Sequence, residues 1–140
     1  MAACIWLTGP KGAGKSTIAR AVVDTLSSRG GRVALFDEAD VRSHLAEGIG
    51  AMAWLCRLLV DNRVTVVAAV DLASRSERDR LRNEVPAFFE VFVDPGQAAD
   101  GYEAPFAPEL RLPTYDRDPA ASIAQLVSWL EDAGYVATEG

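Results

Sequence analysis

The sequence predicts one α/β domain spanning residues 1–140, in which helices cover both faces of a central parallel sheet, a three-layer α/β/α arrangement. Short apolar or β-branched runs alternate with segments of helical periodicity, as expected for parallel strands joined by crossover helices. The run at residues 64–70 is almost entirely β-branched or small and apolar, which is typical of a strand covered on both faces. With 140 residues the chain can bury one core and is too short for two ordinary domains.

A glycine-rich loop joins the first predicted strand, residues 3–7, to the first helix. Its sequence, G-P-K-G-A-G-K-S at residues 9–16, fits the phosphate-binding pattern G-x-x-x-x-G-K-[ST], known as the Walker A motif or P-loop. The backbone N–H groups of such a loop, together with the helix N-terminus behind it, can surround a phosphate. The predicted nucleotide-binding residues are Gly9, Gly12, Ala13, Gly14, Lys15, Ser16 and Thr17.

This motif predicts ATP and Mg²⁺ as cofactors. Lys15 is expected to reach the β- and γ-phosphates as a catalytic residue, and the Ser16 hydroxyl is expected to bind the metal. The alternative is a glycine-rich turn that binds nothing, but turn geometry alone does not require Lys and Ser at the start of a helix.

The next elements are predicted from periodicity and from capping signals. We expect strands at residues 32–36 and 88–93 and helices at 40–47 and 49–60, with Trp54 in the core. Ser74 and Glu77 stand three residues apart, which suits a capping box for a helix that runs to about Asn83.

The last third of the chain changes character. Residues 94–117 contain four prolines and little periodicity, so we expect an irregular segment that crosses the surface. Asp118 and Pro119 are typical of a helix N-cap and first turn, and Gly134 is expected to end the final helix.

Two acidic residues, Asp37 and Asp71, follow predicted strands. Ligands of open α/β sheets bind outside the carboxyl ends of the strands, so both acids are expected beside the P-loop. Asp37 is predicted to orient an acceptor hydroxyl or a water on Mg²⁺, which makes it a catalytic, metal and substrate candidate; the alternative is a helix cap. Asp71 is a second catalytic candidate, as a carboxylate on the Mg²⁺ side, with a solvated loop acid or a cap as the alternative.

Composition narrows the class of ligand. The net charge of −6 and the pI near 4.7 argue against a nucleic-acid partner, which requires a positive face, while the P-loop still suits a small anion. No apolar run approaches the length of a membrane span, and no basic region with a cleavable apolar segment stands at the N-terminus. We therefore expect a cytoplasmic protein without a membrane partner.

Several segments match the sequence patterns of one known family. The P-loop with its flanks, I-W-L-T-G at residues 5–9 and G-A-G-K-S-T-I-A at 12–19, resembles the opening of the adenylylsulfate (APS) kinases. F-D-E-A-D-V-R at residues 36–42 resembles the family segment L-D-G-D-N-V-R, although its three central residues differ. E-V-F-V-D at 90–94, and Y-E-A-P with P-E-L at 102–110, match two stretches that are more particular to the family. The resemblance covers about residues 4–112.

The resemblance implies a P-loop kinase-like fold and ATP-dependent transfer of the γ-phosphoryl group to a hydroxyl of a small molecule, either APS or an APS-like or nucleotide-like acceptor. It implies acceptor-binding roles for Asp37, Arg42, Arg75, Arg78 and Tyr102. The basic lid of the family is reduced here to residues 95–101, and most of an APS-holding segment after Arg42 is absent. We therefore expect a more open crevice, and an acceptor that need not be APS.

Two other functions remain open at this point. A non-catalytic nucleotide-binding module, acting as a regulatory or assembly partner, would explain the reduced lid, and a nucleotide hydrolase would explain an uncovered γ-phosphate. A homodimer or a partner protein that supplies the missing cations is a further alternative.

Overall fold

Five parallel strands form the sheet in the computed structural model, which describes residues 1–44 and 48–137, without the side chains of residues 42–44. The strands are β1 (Cys4–Thr8), β2 (Val33–Asp37), β3 (Thr65–Ala69), β4 (Phe88–Asp94) and β5 (Leu110–Pro113). The helices are α1 (Lys15–Ser28), α2 (Glu38–His44), α3 (Ile49–Asp61), α4 (Arg75–Glu84) and α5 (Pro119–Asp132).

The strand order is β2-β3-β1-β4-β5, and every neighbouring pair is parallel. The P-loop strand β1 therefore lies at the centre, between β3 and β4, and all five of its residues are buried. Because parallel strands end at the same edge of the sheet, the segments that follow β1, β2 and β3 meet there.

Two hydrophobic clusters lie on opposite faces of the sheet. Ile5 and Leu7 of β1 pack with residues of α1 and α5, including Ile18 and Leu126. Cys4 and Trp6 face the other way and pack with residues of α3 and α4. This alternation of side chains along a fully covered strand confirms the predicted three-layer α/β/α class.

The expectation of an irregular segment over residues 94–117 was wrong at its end, because Leu110–Pro113 forms the edge strand β5. This strand has four residues and ends in proline, which is tolerated at a sheet edge. It pairs with β4, and Leu112 is fully buried, so long-range pairing rather than local sequence pattern stabilises it.

Helix α2 begins at Glu38, two residues before its predicted start. Asp37 accepts a hydrogen bond from the Asp40 backbone N–H, which is a helix-capping contact. The predicted end of this helix, residues 45–47, lies outside the described residues.

The expectation that Trp54 lies in the core was also wrong, since its side chain is 60% exposed. Helix α3 is apolar on several sides, and its buried residues, Met52, Ala53, Cys56 and Val60, leave Trp54 on the solvent side. Within the described residues, the helices are all too short or too polar to cross a membrane.

Candidate functional site

The P-loop has the backbone geometry that its glycines predict. Gly12 and Gly14 have φ angles of 80° and 100°, in the left-handed region where a side chain is strained. At Gly9, a Cβ atom would lie 2.6 Å from the carbonyl oxygen of Val93 on β4. These positions therefore allow the loop to fold tightly over the end of the sheet.

The start of α1 is suited to an anion. Gly14 is its N-cap and provides no side-chain hydrogen bond to the first turn, which contains no acidic residue. Backbone N–H groups of that turn and the positive end of the helix dipole remain available to a phosphate. Ser16 and Thr17 are exposed at the same place.

A cleft of about 450 Å³ opens beside this helix start. Its lining comes from the P-loop, the end of β3 and the start of α2. The lining residues are Lys11, Gly12, Gly14, Lys15, Ser16, Thr17, Glu38, Ala69 and Asp71. We call this cleft the phosphate crevice.

Lys15 is nearly buried in the phosphate crevice, with 7% of its surface exposed. Its Nζ atom donates hydrogen bonds to the carbonyl oxygens of Gly9 (2.7 Å) and Pro10 (3.1 Å). The same atom lies 3.0 Å from Asp71 Oδ1, which forms an ion pair with it. The ammonium group is thus fixed within the loop that would hold the phosphates.

Asp71 lies where the sequence predicted, beside the P-loop and at the end of β3. Its backbone N–H donates to Glu38 Oε2 at 2.7 Å. Glu38 was not a sequence candidate. Glu38 is the first residue of α2 and directly follows Asp37. The sequence alone does not indicate which of these two adjacent acids faces the crevice.

Asp37 is directed to other partners. Its Oδ1 accepts the N–H of Asp40 at 2.9 Å, and its Oδ2 lies 3.5 Å from Arg20 Nη2. The hydrogen bond from Asp40 is the main reason that the pKa of Asp37 is lowered. Asp37 is not among the described residues that line the phosphate crevice, so the geometry favours its capping role.

Tyr102 lies on the other flank of the P-loop. Its hydroxyl is 2.8 Å from Thr8 Oγ1 at the end of β1, and its ring stacks on Phe92. Burial raises the pKa of this phenol, so it stays protonated at neutral pH. It lines a small hollow together with Gly9, Lys11, Asp71, Leu72, Ala73 and Gly101.

Helix α4 carries two of the predicted substrate-binding residues, Arg75 and Arg78, and both bind groups of the protein itself. Arg78 is 1% exposed; it donates to Glu90 Oε2 at 2.7 Å, to the Leu72 carbonyl at 2.7 Å and to the Glu103 carbonyl. Arg75 donates to the Ala104 carbonyl and lies 3.8 Å from the ring centroid of Phe106. Neither arginine is among the described residues that line the phosphate crevice. The side chain of Arg42 lies outside the described residues.

A second hollow borders the P-loop on its other side, next to the segment between β5 and α5. Thr114, Arg117 and Pro119 line it, facing Thr17 and Ile18 of α1. The sequence carries no local signal that this segment borders the P-loop, because the segment is placed there only once β5 has paired with β4. The hollow is continuous with the loop residues Gly12, Ala13 and Gly14.

The oxygen donors in the phosphate crevice suit a hard divalent cation. Mg²⁺ prefers oxygen ligands, keeps several waters, and is usually held by one or two carboxylates together with substrate phosphates. Ser16, Asp71 and Glu38 provide a hydroxyl and two carboxylates here. The described residues contain no cluster of three or more His, Cys, Asp or Glu side chains that would hold a metal by itself.

Comparison with known proteins identifies the family. The family model for adenylylsulphate kinase matches residues 1–100. An adenylyl-sulfate kinase of Deinococcus deserti is 33% identical over 147 residues, which cover 79% of this chain and 81% of that protein. A "Probable bifunctional SAT/APS kinase 2" of Sorangium cellulosum is 27% identical over 97% of this chain, but the chain spans only 30% of that longer protein.

The fold comparison agrees with the sequence comparison. The structure of a mutant of the APS kinase CysC from Mycobacterium tuberculosis superimposes with a TM-score of 0.80 and 26% identity, covering 93% of this chain and 97% of that one. The family match extends over more than half of the chain, from β1 through β4. The chain therefore belongs to the adenylylsulfate kinase family.

Proposed function

We propose that this chain is an ATP-dependent phosphotransferase that moves the γ-phosphoryl group to a hydroxyl of APS or of an APS-like, nucleotide-like small molecule. The observation that carries this proposal is the phosphate crevice itself. It combines a P-loop of suitable backbone geometry with Lys15, Ser16 and Asp71 at the carboxyl edge of the sheet.

The proposed nucleotide position follows from the two spaces that border the P-loop. The β- and γ-phosphates would lie in the phosphate crevice, on the N–H groups at the start of α1. The base and ribose would extend into the hollow beside Thr114, Arg117 and Pro119, which is continuous with Gly12 and Gly14.

Lys15 would change partners when phosphates bind. Its ammonium group now pairs with Asp71 and with two loop carbonyls. A phosphate carries more charge than one carboxylate, so the ammonium group would turn from Asp71 to the phosphate oxygens while it keeps its place in the loop. Asp71 would then be released to face the metal side of the crevice.

Ser16, with Asp71 beside it, would hold Mg²⁺. When bound, the metal would neutralise charge that develops on the phosphate oxygens. The chain's residues would contribute positioning and charge: the acceptor oxygen forms a bond to the γ-phosphorus as the bond to the ADP oxygen breaks, and the hydroxyl proton passes to water in the open crevice. Phosphoryl transfer requires little else of the protein.

The acceptor would approach from the side of Tyr102. That flank offers a small, mainly apolar hollow between the P-loop and residues 71–73, next to the phosphate crevice. Arg75 and Arg78 are committed to protein acceptors, so they would shape this flank rather than bind the acceptor directly.

The test is transfer of labelled γ-phosphate from Mg·ATP, with APS and a panel of hydroxyl metabolites as acceptors. We expect a labelled acceptor with the wild-type protein and a loss of at least about 100-fold with Lys15→Met, because an electrostatic contact to the transferred group is removed. Arg57→Met, which removes an exposed cation from α3, serves as the matched control and should retain activity.

Three results would count against the proposal in different ways. Release of phosphate without a labelled acceptor would indicate a hydrolase. Binding of ATP without turnover would indicate a nucleotide-binding module. Equal transfer by wild type and Lys15→Met would show that the phosphate crevice is not where the reaction occurs.

A further inference from the structure

The junction between β2 and α2 carries two adjacent carboxylates that the fold sends in different directions. Asp37 contacts the Asp40 N–H and Arg20, so it stabilises the start of α2 and faces α1. Glu38, one residue later, lines the phosphate crevice together with Lys15 and Asp71. The acid that the sequence predicted for the site, Asp37, is therefore not the one that faces the crevice; Glu38 is.

Glu38 is tied to the end of β3. Its Oε2 atom accepts the backbone N–H of Asp71 at 2.7 Å, and Asp71 Oδ1 in turn lies 3.0 Å from Lys15 Nζ. Carboxylates from two neighbouring strands thus meet beside the P-loop in one continuous set of contacts. The Glu38 side chain thus holds the backbone from which the Asp71 carboxylate extends.

The balance of charges in the phosphate crevice explains why two acids can lie beside a phosphate-binding loop. The charged groups in its lining are Lys11, Lys15, Glu38 and Asp71, whose formal charges cancel. A triphosphate adds several negative charges, which a divalent cation must neutralise. Carboxylates that accept hydrogen bonds from the metal-bound waters raise the affinity for that cation.

We propose that Glu38, rather than Asp37, is the second carboxylate that serves nucleotide-bound Mg²⁺, and that it does so as a positioning residue. It fixes the backbone of Asp71 and orients metal-bound water. This inference rests on the proposed function, because it presupposes that Mg·ATP occupies the phosphate crevice.

The test is calorimetric titration with the non-hydrolysable ATP analogue AMPPNP, in Mg²⁺ and in EDTA. The quantity compared between variants is the dissociation constant in EDTA divided by that in Mg²⁺. We call this ratio the magnesium gain. The variants are Glu38→Gln, Asp37→Asn and Asp40→Asn; the last removes the same charge from an exposed position of α2 outside the crevice. We expect Glu38→Gln to weaken AMPPNP binding in Mg²⁺ itself by about tenfold or more, while binding in EDTA stays unchanged or tightens because a negative charge leaves the crevice. A magnesium gain that falls only because binding in EDTA tightens counts against the role of Glu38.

The outcomes separate this inference from the proposed function. A full magnesium gain in Glu38→Gln, or its loss in Asp37→Asn alone, overturns the role of Glu38 while the kinase proposal stands. Absence of AMPPNP binding by the wild type overturns both. Should Glu38→Gln unfold, Glu38→Asp provides the comparison: it keeps the charge but shortens the reach, so the magnesium gain must fall, and an unchanged gain refutes the inference.

Discussion

The contact between Lys15 and Asp71 is the feature of the phosphate crevice that a bound phosphate would change first. The ion pair is 3.0 Å long, and the lysine side chain in it is 93% buried, so its charge is poorly screened by water. Under the proposed function, Asp71 would therefore act in two opposite ways: it would compete with phosphate for the lysine, and it would accept hydrogen bonds on the metal side.

This dual role predicts the effect of Asp71→Asn. Without metal, the variant should bind ATP several-fold more tightly, because a negative charge that repels phosphate and holds Lys15 is removed. With Mg²⁺, its phosphoryl transfer should fall, because a carboxylate on the metal side is lost. Titration in EDTA and initial rates in Mg²⁺ measure the two effects separately. Weaker metal-free binding would show that Asp71 does not oppose the phosphates.

Some residues of the candidate site could be predicted from the sequence, and others could not. The P-loop residues followed from a motif whose spacing fixes its geometry, and Asp71 followed from the position of β3 beside β1. Asp37 and Glu38 could not be distinguished, because the direction of a side chain at a helix start depends on capping and on contacts with other strands. Arg78 was expected to bind the acceptor, but it binds protein groups instead, and its partners Glu90 and Leu72 become its neighbours only in the folded protein.

At the scale of elements, a network of charged side chains joins α4 to β4 and β5. Glu90 accepts hydrogen bonds from Arg78 and Arg82, and it is 6% exposed. Glu109 accepts two hydrogen bonds from Arg82 and one from the Glu90 backbone N–H. The glutamates of two family-like segments, E-V-F-V-D and P-E-L, therefore hold the sheet edge together.

The network predicts a pH-dependent stability. Burial opposes ionisation of Glu109, but its hydrogen bonds from Arg82 and the Glu90 backbone outweigh this and lower its pKa. A carboxylate with a lowered folded-state pKa stabilises the fold above its ordinary pKa of about 4.3, and that contribution is lost as the pH falls below it.

Glu109→Gln should therefore cost about 1–2 kcal/mol of unfolding free energy at pH 7 and less near pH 4. Denaturant unfolding at both pH values measures the difference. Glu84→Gln is the control: Glu84 forms an exposed i,i+4 pair with Arg80 and should cost under about 0.5 kcal/mol. An equal loss at both pH values would contradict the role of ionised Glu109.

The helices differ in how much core they provide. Leu126 of α5 is fully buried against the cluster that includes Ile5 and Leu7, while Leu58 of α3 is 43% exposed beside Trp54. Leu126→Ala should cost about 2–5 kcal/mol, and Leu58→Ala under about 1 kcal/mol. Denaturant unfolding of both variants measures these costs. Similar costs would show that the solvent-side face of α3 is covered in solution.

At the scale of the whole molecule, the strand order determines where the chemistry is. In the sheet, β3 lies next to β1, and β2 lies next to β3. The segments that follow these strands therefore meet the P-loop at one edge of the sheet, as the rule for open α/β sheets predicts. The fold class could be predicted because the alternation of strands and helices along the sequence is strong enough to indicate a parallel sheet. Strand β5 was missed because a four-residue edge strand ending in proline has no pattern of its own and depends on β4.

The family comparison also bears on the size of the molecule. The alignment with the Deinococcus deserti enzyme extends over 147 positions but uses 79% of this 140-residue chain, so about 36 positions have no counterpart here. This agrees with the reduced lid and the shortened acceptor segment inferred from the sequence. In the proposed reaction, an open crevice would expose the γ-phosphate to water, so hydrolysis would be the reaction that competes with transfer.

The most direct test of the proposed transfer is the stoichiometry of the reaction: phosphorylated acceptor formed per ADP released, measured with saturating Mg·ATP and with APS or each hydroxyl metabolite of the panel in turn. Phosphoryl transfer to a hydroxyl predicts a ratio close to one with at least one of these acceptors, and Lys15→Met should abolish both the phosphorylated acceptor and the release of ADP. ADP and free phosphate released at the same rate with and without every acceptor, and no phosphorylated acceptor, would contradict the central claim that this crevice transfers phosphate to a hydroxyl.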